Sequence, residues 1–119
     1  MANLNVWTGT GNLVTDPETR TLSTGKTVTN FRIGVSTGFG ERKSTLFLNV
    51  EAWEKLGAFV QQYAHKGSIV AVTGELHCRE YTNNNGEKKQ SWEIKAREVE
   101  AIRTNSAVNK EHTTGDIDF

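Results

Sequence analysis

A single cysteine, Cys78, and a single proline, Pro17, stand in a chain of 119 residues. One cysteine excludes an intrachain disulfide framework and any cysteine-rich zinc site. No apolar run approaches the roughly 18 residues that a membrane-spanning helix needs. The opening Met1-Ala2-Asn3-Leu4 lacks a basic stretch followed by an apolar one, so no secretory leader is expected and the cytoplasm is the expected compartment. Charge of one sign is missing too: 14 Lys and Arg balance 14 Asp and Glu, which alone argues against a strongly basic nucleic-acid binder. The balance is uneven along the chain. Residues 104–119 hold Lys110 against Glu111, Asp116 and Asp118, leaving residues 1–103 mildly basic and the tail acidic.

Catalytic signatures are absent as well. Gly25-Lys26-Thr27 looks like the end of a phosphate-binding loop, but Arg20 stands where the first glycine belongs and a strand-like run follows where a helix should. Gly9-Thr10-Gly11 lacks the third glycine of a dinucleotide fingerprint, because Val14 occupies it. His65, His77 and His112 show no metal-ligand spacing. His77 and Cys78 are adjacent, so in a strand they point to opposite faces. No serine or cysteine sits in a recognisable nucleophile setting, and the acidic residues are dispersed. No enzyme activity, cofactor or metal site is expected.

What is present is strand patterning. Residues 3–13 read as a first strand, with a turn at Asp16-Pro17. Residues 27–37 alternate, Thr29, Phe31, Ile33 and Val35 facing one way and Asn30, Arg32 and Ser36 the other. Gly38–Lys43 reads as a hairpin tip. In residues 45–53, Leu46, Leu48, Val50 and Ala52 form an apolar face. Residues 54–66 place Leu56, Phe59, Val60, Tyr63 and Ala64 on one helical stripe, with Gly67 as the cap that ends it. Residues 68–77 resume strand, and Thr82–Gly86 makes a turn. In residues 91–102 the apolar phase switches between Ala96 and Val99, which predicts a bulge near Arg97. Five strands with a helix between the third and fourth describe an all-β, five-stranded OB-fold Greek-key barrel with long hairpins. One domain over residues 1–103 is expected, followed by a short, disordered, acidic tail over 104–119.

Several aromatics fall where a core would not put them. Phe39 lies between two loop glycines. Phe47 and Trp53 share the polar face of their strand with Thr45, Asn49 and Glu51. Tyr81 stands beside a turn, two residues from Arg79. Arg42, Lys43, Lys55, Lys66, Arg79, Lys88 and Lys89 are interleaved with them. Flat rings offer stacking surfaces to unpaired bases, and cations neutralise phosphates. Two readings fit this set: a sequence-tolerant single-strand groove, or rings that cover a second core or a protein partner. Trp7 lies near the N-terminus in the first strand and reads as interface or second-core packing.

The chain also resembles bacterial-type single-stranded-DNA-binding proteins. The resemblance rests on Gly11-Asn12-Leu13, Asp16-Pro17-Glu18 with Arg20, Asn30-Phe31, Trp53-Glu54-Lys55-Leu56, Lys66-Gly67-Ser68 and Val72-Thr73-Gly74-Glu75-Leu76. Their order holds across roughly residues 4–103. It implies stacking at Phe39, Phe47, Trp53 and Tyr81. It implies phosphate contacts at Lys55 and Lys66, with Arg42 or Lys43 and Arg79 beside them; Glu80 stands where another basic residue is common. The tip Asp116-Ile117-Asp118-Phe119 resembles the family's acidic, partner-docking terminus, although Asp118 replaces the usual proline and the long linker is missing. A compact phage- or plasmid-encoded member is implied. So is a homo-oligomer, tetramer ahead of dimer, acting on single-stranded DNA in replication, recombination and repair. The runner-up from another class is an OB-fold protein-interaction subunit such as a primosome accessory factor.

Overall fold

The structure, a computed structural model, describes residues 3–103. The expected tail and its tip, Asp116–Phe119, lie outside the described residues. Six strands and one helix follow in the order β1 (Trp7–Leu13), β2 (Glu18–Thr21), β3 (Thr27–Thr37), β4 (Ser44–Trp53), α1 (Glu54–Tyr63), β5 (Ile69–Thr82) and β6 (Lys88–Arg103). The sheet runs β1-β5-β6-β4-β3-β2, and β1 also pairs with β3 through Asn12↔Gly34 and Leu13↔Ile33. That extra pairing closes five strands into a barrel and leaves β2 as a short strand on β3. Among the described residues β4 and β6 are the one parallel pair. Closure with this order, and the helix between the third and fourth barrel strands, is the OB-fold.

The core is the inward row of each strand. Phe31 and Ile33 from β3, Leu48, Val50 and Ala52 from β4, Val70 and Val72 from β5, and Ile94 and Val99 from β6 form one buried cluster. Between Ile94 and Val99 the inward row changes parity. The pairs Thr73↔Glu98 and Gly74↔Ala96 skip Arg97, which is the bulge the phase switch predicts. Bulges of this kind add the local twist that barrel closure needs.

The structure differs from the sequence expectations in several places. β2 forms after Pro17, pairing Glu18↔Asn30 through Thr21↔Thr27; its four residues are too short to carry a periodic signal. The helix ends at Tyr63, because Ala64 is extended and donates its N–H to the Val60 carbonyl. Gly67 is therefore no helix cap. It sits at positive φ in a His65–Ser68 turn and bonds the Leu13 carbonyl. The helical stripe is narrower than expected: Gly57, Val60 and Ala64 are buried, but Phe59 and Tyr63 are exposed and pack on each other with centroids 5.1 Å apart. The reason is close approach. A Cβ on Gly57 would lie 2.5 Å from the Ala52 carbonyl oxygen, so the helix meets the barrel along its glycine and only a thin strip is covered. Finally, Leu46 keeps the inward phase of β4 but is exposed, because the β3–β4 hairpin extends past the packed barrel.

Candidate nucleic-acid interface

The site is built on the outward row of β3, β4, β6 and β5. Alternation sends Leu48, Val50 and Ala52 inward and leaves Phe47, Asn49, Glu51 and Trp53 outward. The register then fixes their neighbours. Gly34 lies across from Phe47, Arg32 from Asn49, Asn30 from Glu51 and Val28 from Trp53. On the other side, Asn49 neighbours Glu93 and Glu51 neighbours Lys95. Glu93 pairs with His77, Ser91 with Arg79 and Lys89 with Tyr81. Phe47, Trp53, Arg79 and Tyr81 thus share one face of one sheet, although they come from segments 34 positions apart (47 to 81).

Each ring has its own setting. Phe47 is 48% exposed, and the absence of a side chain at Gly34 makes room for it: a Cβ there would stand 3.3 Å from the Phe47 ring. The Arg32 guanidinium carbon lies 5.2 Å from the Phe47 centroid, within cation–π range. Tyr81 is 47% exposed on the β5–β6 arm. Phe39 is 91% exposed on the β3–β4 tip, just before a single 3-10 turn, Gly40–Arg42, that carries Arg42 next to Lys43. Trp53 differs from the other three. It is half-buried opposite the buried Val28, and its indole Nε1 is buried without a hydrogen-bond partner among the described residues. It also precedes Glu54, which starts α1 at φ +53°. A non-glycine residue there is strained by about 1–2 kcal/mol.

The cations fall into two groups. Arg42, Lys43, Lys55 and Lys66 are exposed. The Lys66 backbone N–H is held by the Asp16 carboxylate at 2.8 Å. Lys66 lies off the strands, in the α1–β5 turn. Arg79 is on the face but is occupied: its Nε donates to Glu93 Oε2 at 3.1 Å. Beside it, Arg97 bonds Glu75, and His77 stands 3.2 Å from the same carboxylate. The Arg97 hydrogen bond and charge, with the His77 contact, hold the Glu75 carboxyl below its ordinary range.

A groove of about 850 Å³ runs along this face between the β2–β3 hairpin and the β4–β6 seam. Arg20, Arg32 and Arg79 line it together with Asp16, Glu18, Glu51 and Glu93, and Asn30 and Asn49 lie on its floor. Charge there is mixed rather than uniformly positive. Sequence reasoning placed Arg32 among the outward residues of β3 without giving it a role. The hairpin tip at Gly38–Lys43 carried the missing signal, because counting back from it pairs Arg32 with Asn49 and sets it beside Phe47. Trp7, read as interface or second-core packing, is half-buried against the main core. Among the described residues no three His, Cys, Asp or Glu gather as a metal site, and no helix is long and apolar enough to cross a membrane.

Comparison with known proteins places this architecture. The profile of the single-strand binding protein family matches residues 4–102. The single-stranded DNA-binding protein of Corynebacterium glutamicum is 38% identical over 96 residues, which cover 75% of this chain and 43% of that protein. Its counterpart from Halalkalibacterium halodurans is 36% identical over 96 residues, covering 77% and 56%. The chain spans about half the length of these curated relatives. The crystal structure of the small single-stranded DNA-binding protein from Streptomyces coelicolor matches with a TM-score of 0.73 at 25% identity, over 84% of this chain and 95% of that one. With a closed five-stranded OB barrel and a family match over nearly all of the described residues, the chain belongs to the single-strand binding protein family.

Proposed function

We propose that the chain binds single-stranded DNA without sequence specificity and without catalysis. Bases stack on Phe39, Phe47, Trp53 and Tyr81, and phosphates meet Arg42, Lys43, Lys55, Lys66 and Arg79. The observation that carries this reading is the shared outward face of Phe47, Trp53, Arg79 and Tyr81. A soluble domain has no packing reason to keep three rings on the solvent side of one sheet, whereas base stacking is worth roughly 1–3 kcal/mol per ring. The names of the relatives support the same ligand. Residues 1–103 act as the binding domain and 104–119 as a tail whose tip, Asp116–Phe119, recruits replication and repair proteins in the cytoplasm. The protein works as a homo-oligomer, a tetramer before a dimer. Leu4 and Val6, exposed and apolar next to β1, support a subunit contact there.

The test is a titration with oligo-dT at two salt concentrations, followed by intrinsic tryptophan fluorescence. Quenching that weakens as salt rises is the expected result, because stacking reports on Trp53 and counterion release makes binding salt-dependent. No quenching and no binding at low salt would remove the reading and turn the aromatic face toward a protein partner.

A further inference from the structure

We propose that Arg32 and Phe47 act as one nucleotide-binding unit, in which the ring takes a base and the neighbouring guanidinium takes a phosphate of the same strand. The inference rests on the single-strand reading above and names a contact residue it does not contain.

Three observations carry it. First, Arg32 is exposed on β3, directly across from Asn49 and one outward pair from Phe47. Its guanidinium carbon stands 5.2 Å from the Phe47 centroid while the ring remains 48% exposed. Cation and stacking surface are therefore accessible together, and the cation–π contact holds the arginine in place before any ligand arrives. Second, Arg32 makes no ion pair or side-chain hydrogen bond among the described residues. Of the cations around it, Arg79 is paired with Glu93, Arg97 with Glu75 and Lys89 with Glu87, whereas Arg20 and Lys95 are unpaired like Arg32 but make no cation–π contact among the described residues. A phosphate at Arg32 displaces no carboxylate, whereas one at Arg79 must compete with Glu93. Third, Arg32 lines the groove in which Asp16, Glu18, Glu51 and Glu93 offset the basic residues. In a groove of mixed charge an anion has few favourable places, and an unneutralised guanidinium beside a ring is one. Arginine also suits both halves of the task, since its planar group stacks on rings and forks onto phosphate oxygens.

The experiment uses the full chain and oligo-dT, with tryptophan quenching followed across a salt series. Arg32→Gln should weaken binding about five- to ten-fold at low salt. It should also lower the slope of log K against log salt by about 0.7, the share of one phosphate on a single strand. Arg32→Lys should restore the slope but not the full affinity, because the ammonium keeps the charge and loses the planar stack. In a cycle with Phe47→Ala, the two losses should be less than additive. Wild-type slope in Arg32→Gln would overturn the phosphate contact while leaving single-strand binding intact. A reduced slope that Arg32→Lys fails to restore would make Arg32 a positioning residue and also overturn it. Full additivity with Phe47→Ala would overturn the shared unit. Absence of binding by the wild type would remove this inference together with the reading beneath it.

Discussion

The Asp16 carboxylate accepts the backbone N–H of Lys66 at 2.8 Å, joining two short motifs that lie 50 positions apart in the chain. Asp16 follows β1, and Lys66 belongs to the turn that feeds β5. The same turn is tied to β1 by Gly67 N–H to the Leu13 carbonyl and by Leu13 N–H to the Ser68 carbonyl. The acidic residue before Pro17 is therefore a clamp on the α1–β5 turn rather than a ligand group. Asp16→Ala should cost about 1–2 kcal/mol, the range for a charge-assisted bond at an exposed site. Urea unfolding measures it, and an unchanged midpoint would show the clamp to be slack. Asp16→Asn, which keeps an acceptor, should recover part of the loss.

Trp53 serves two roles that pull apart. Its ring is a candidate stacking platform, yet the residue is half-buried over Val28 and carries a buried indole N–H with no partner. A buried donor left unpaired costs about 1–3 kcal/mol. Trp53→Phe removes that donor and keeps a flat ring, so stability should hold or rise slightly while quenching on DNA is largely lost. Trp53→Ala should lose both binding and about 1–3 kcal/mol of stability, since packing over Val28 goes as well. Paired thermal melts and oligo-dT titrations by anisotropy separate the two effects. If Trp53→Phe unfolds more readily than Trp53→Ala, the orphan donor is not what limits the site.

Alternation made the barrel legible. Phe31 and Ile33 in β3 and Leu48, Val50 and Ala52 in β4 recur at every second position, and the structure buries them, down to 0% exposure at Ile33 and Ala52. The bulge at Arg97 was legible for the same reason, because a single skipped residue inverts the parity of everything after it. The failures share a cause too. β2 is too short for a period. Phe59 and Tyr63 have helical spacing, but spacing says only which residues share a stripe, not how wide a strip the barrel end covers; Gly57 decides that by contact. At the site, the outward facing of Phe47 and Trp53 could be read from β4 alone. Which cations are free could not, because the Arg79–Glu93 and Arg97–Glu75 pairs depend on how β5 and β6 lie in register. Exposure and charge of a residue do not disclose its neighbours across a strand.

The Glu75 carboxyl should stay charged to lower pH than an ordinary glutamate does. The Arg97 hydrogen bond and charge lower its pKa, and the His77 contact adds to that. A lowered folded-state pKa means that the contact stabilises the protein above the unfolded pKa and that this contribution is lost as pH drops through the folded value. The shift belongs to an exposed ion pair, so its effect on global stability should be small. Side-chain NMR should show Glu75 titrating below the ordinary carboxylate range, and Arg97→Gln should raise its midpoint. If Arg97→Gln leaves the midpoint in place, Arg97 is not what holds the carboxyl down.

Glu93 should act as a brake on single-strand binding. Its carboxylate holds Arg79 through Nε and Nη2, each at 3.1 Å. It also lines the groove and neighbours Asn49 on the outward row. When a phosphate approaches Arg79, the gain of the new contact is offset by the loss of the old one, and the freed carboxylate then faces the strand. Exposed ion pairs are worth about 0–1 kcal/mol, so the release is modest. Glu93→Gln should tighten oligo-dT binding about two- to five-fold at low salt and steepen the salt slope by up to about 0.7, as Arg79 becomes free to release a counterion. Arg79→Gln in the wild-type background should weaken binding, because it leaves the Glu93 carboxylate uncompensated beside the strand, and in the Glu93→Gln background it should remove the gain. Weaker oligo-dT binding by Glu93→Gln would mean that the carboxylate contacts bases directly, for example by accepting from the thymine N3–H, and the brake would be replaced by a base contact.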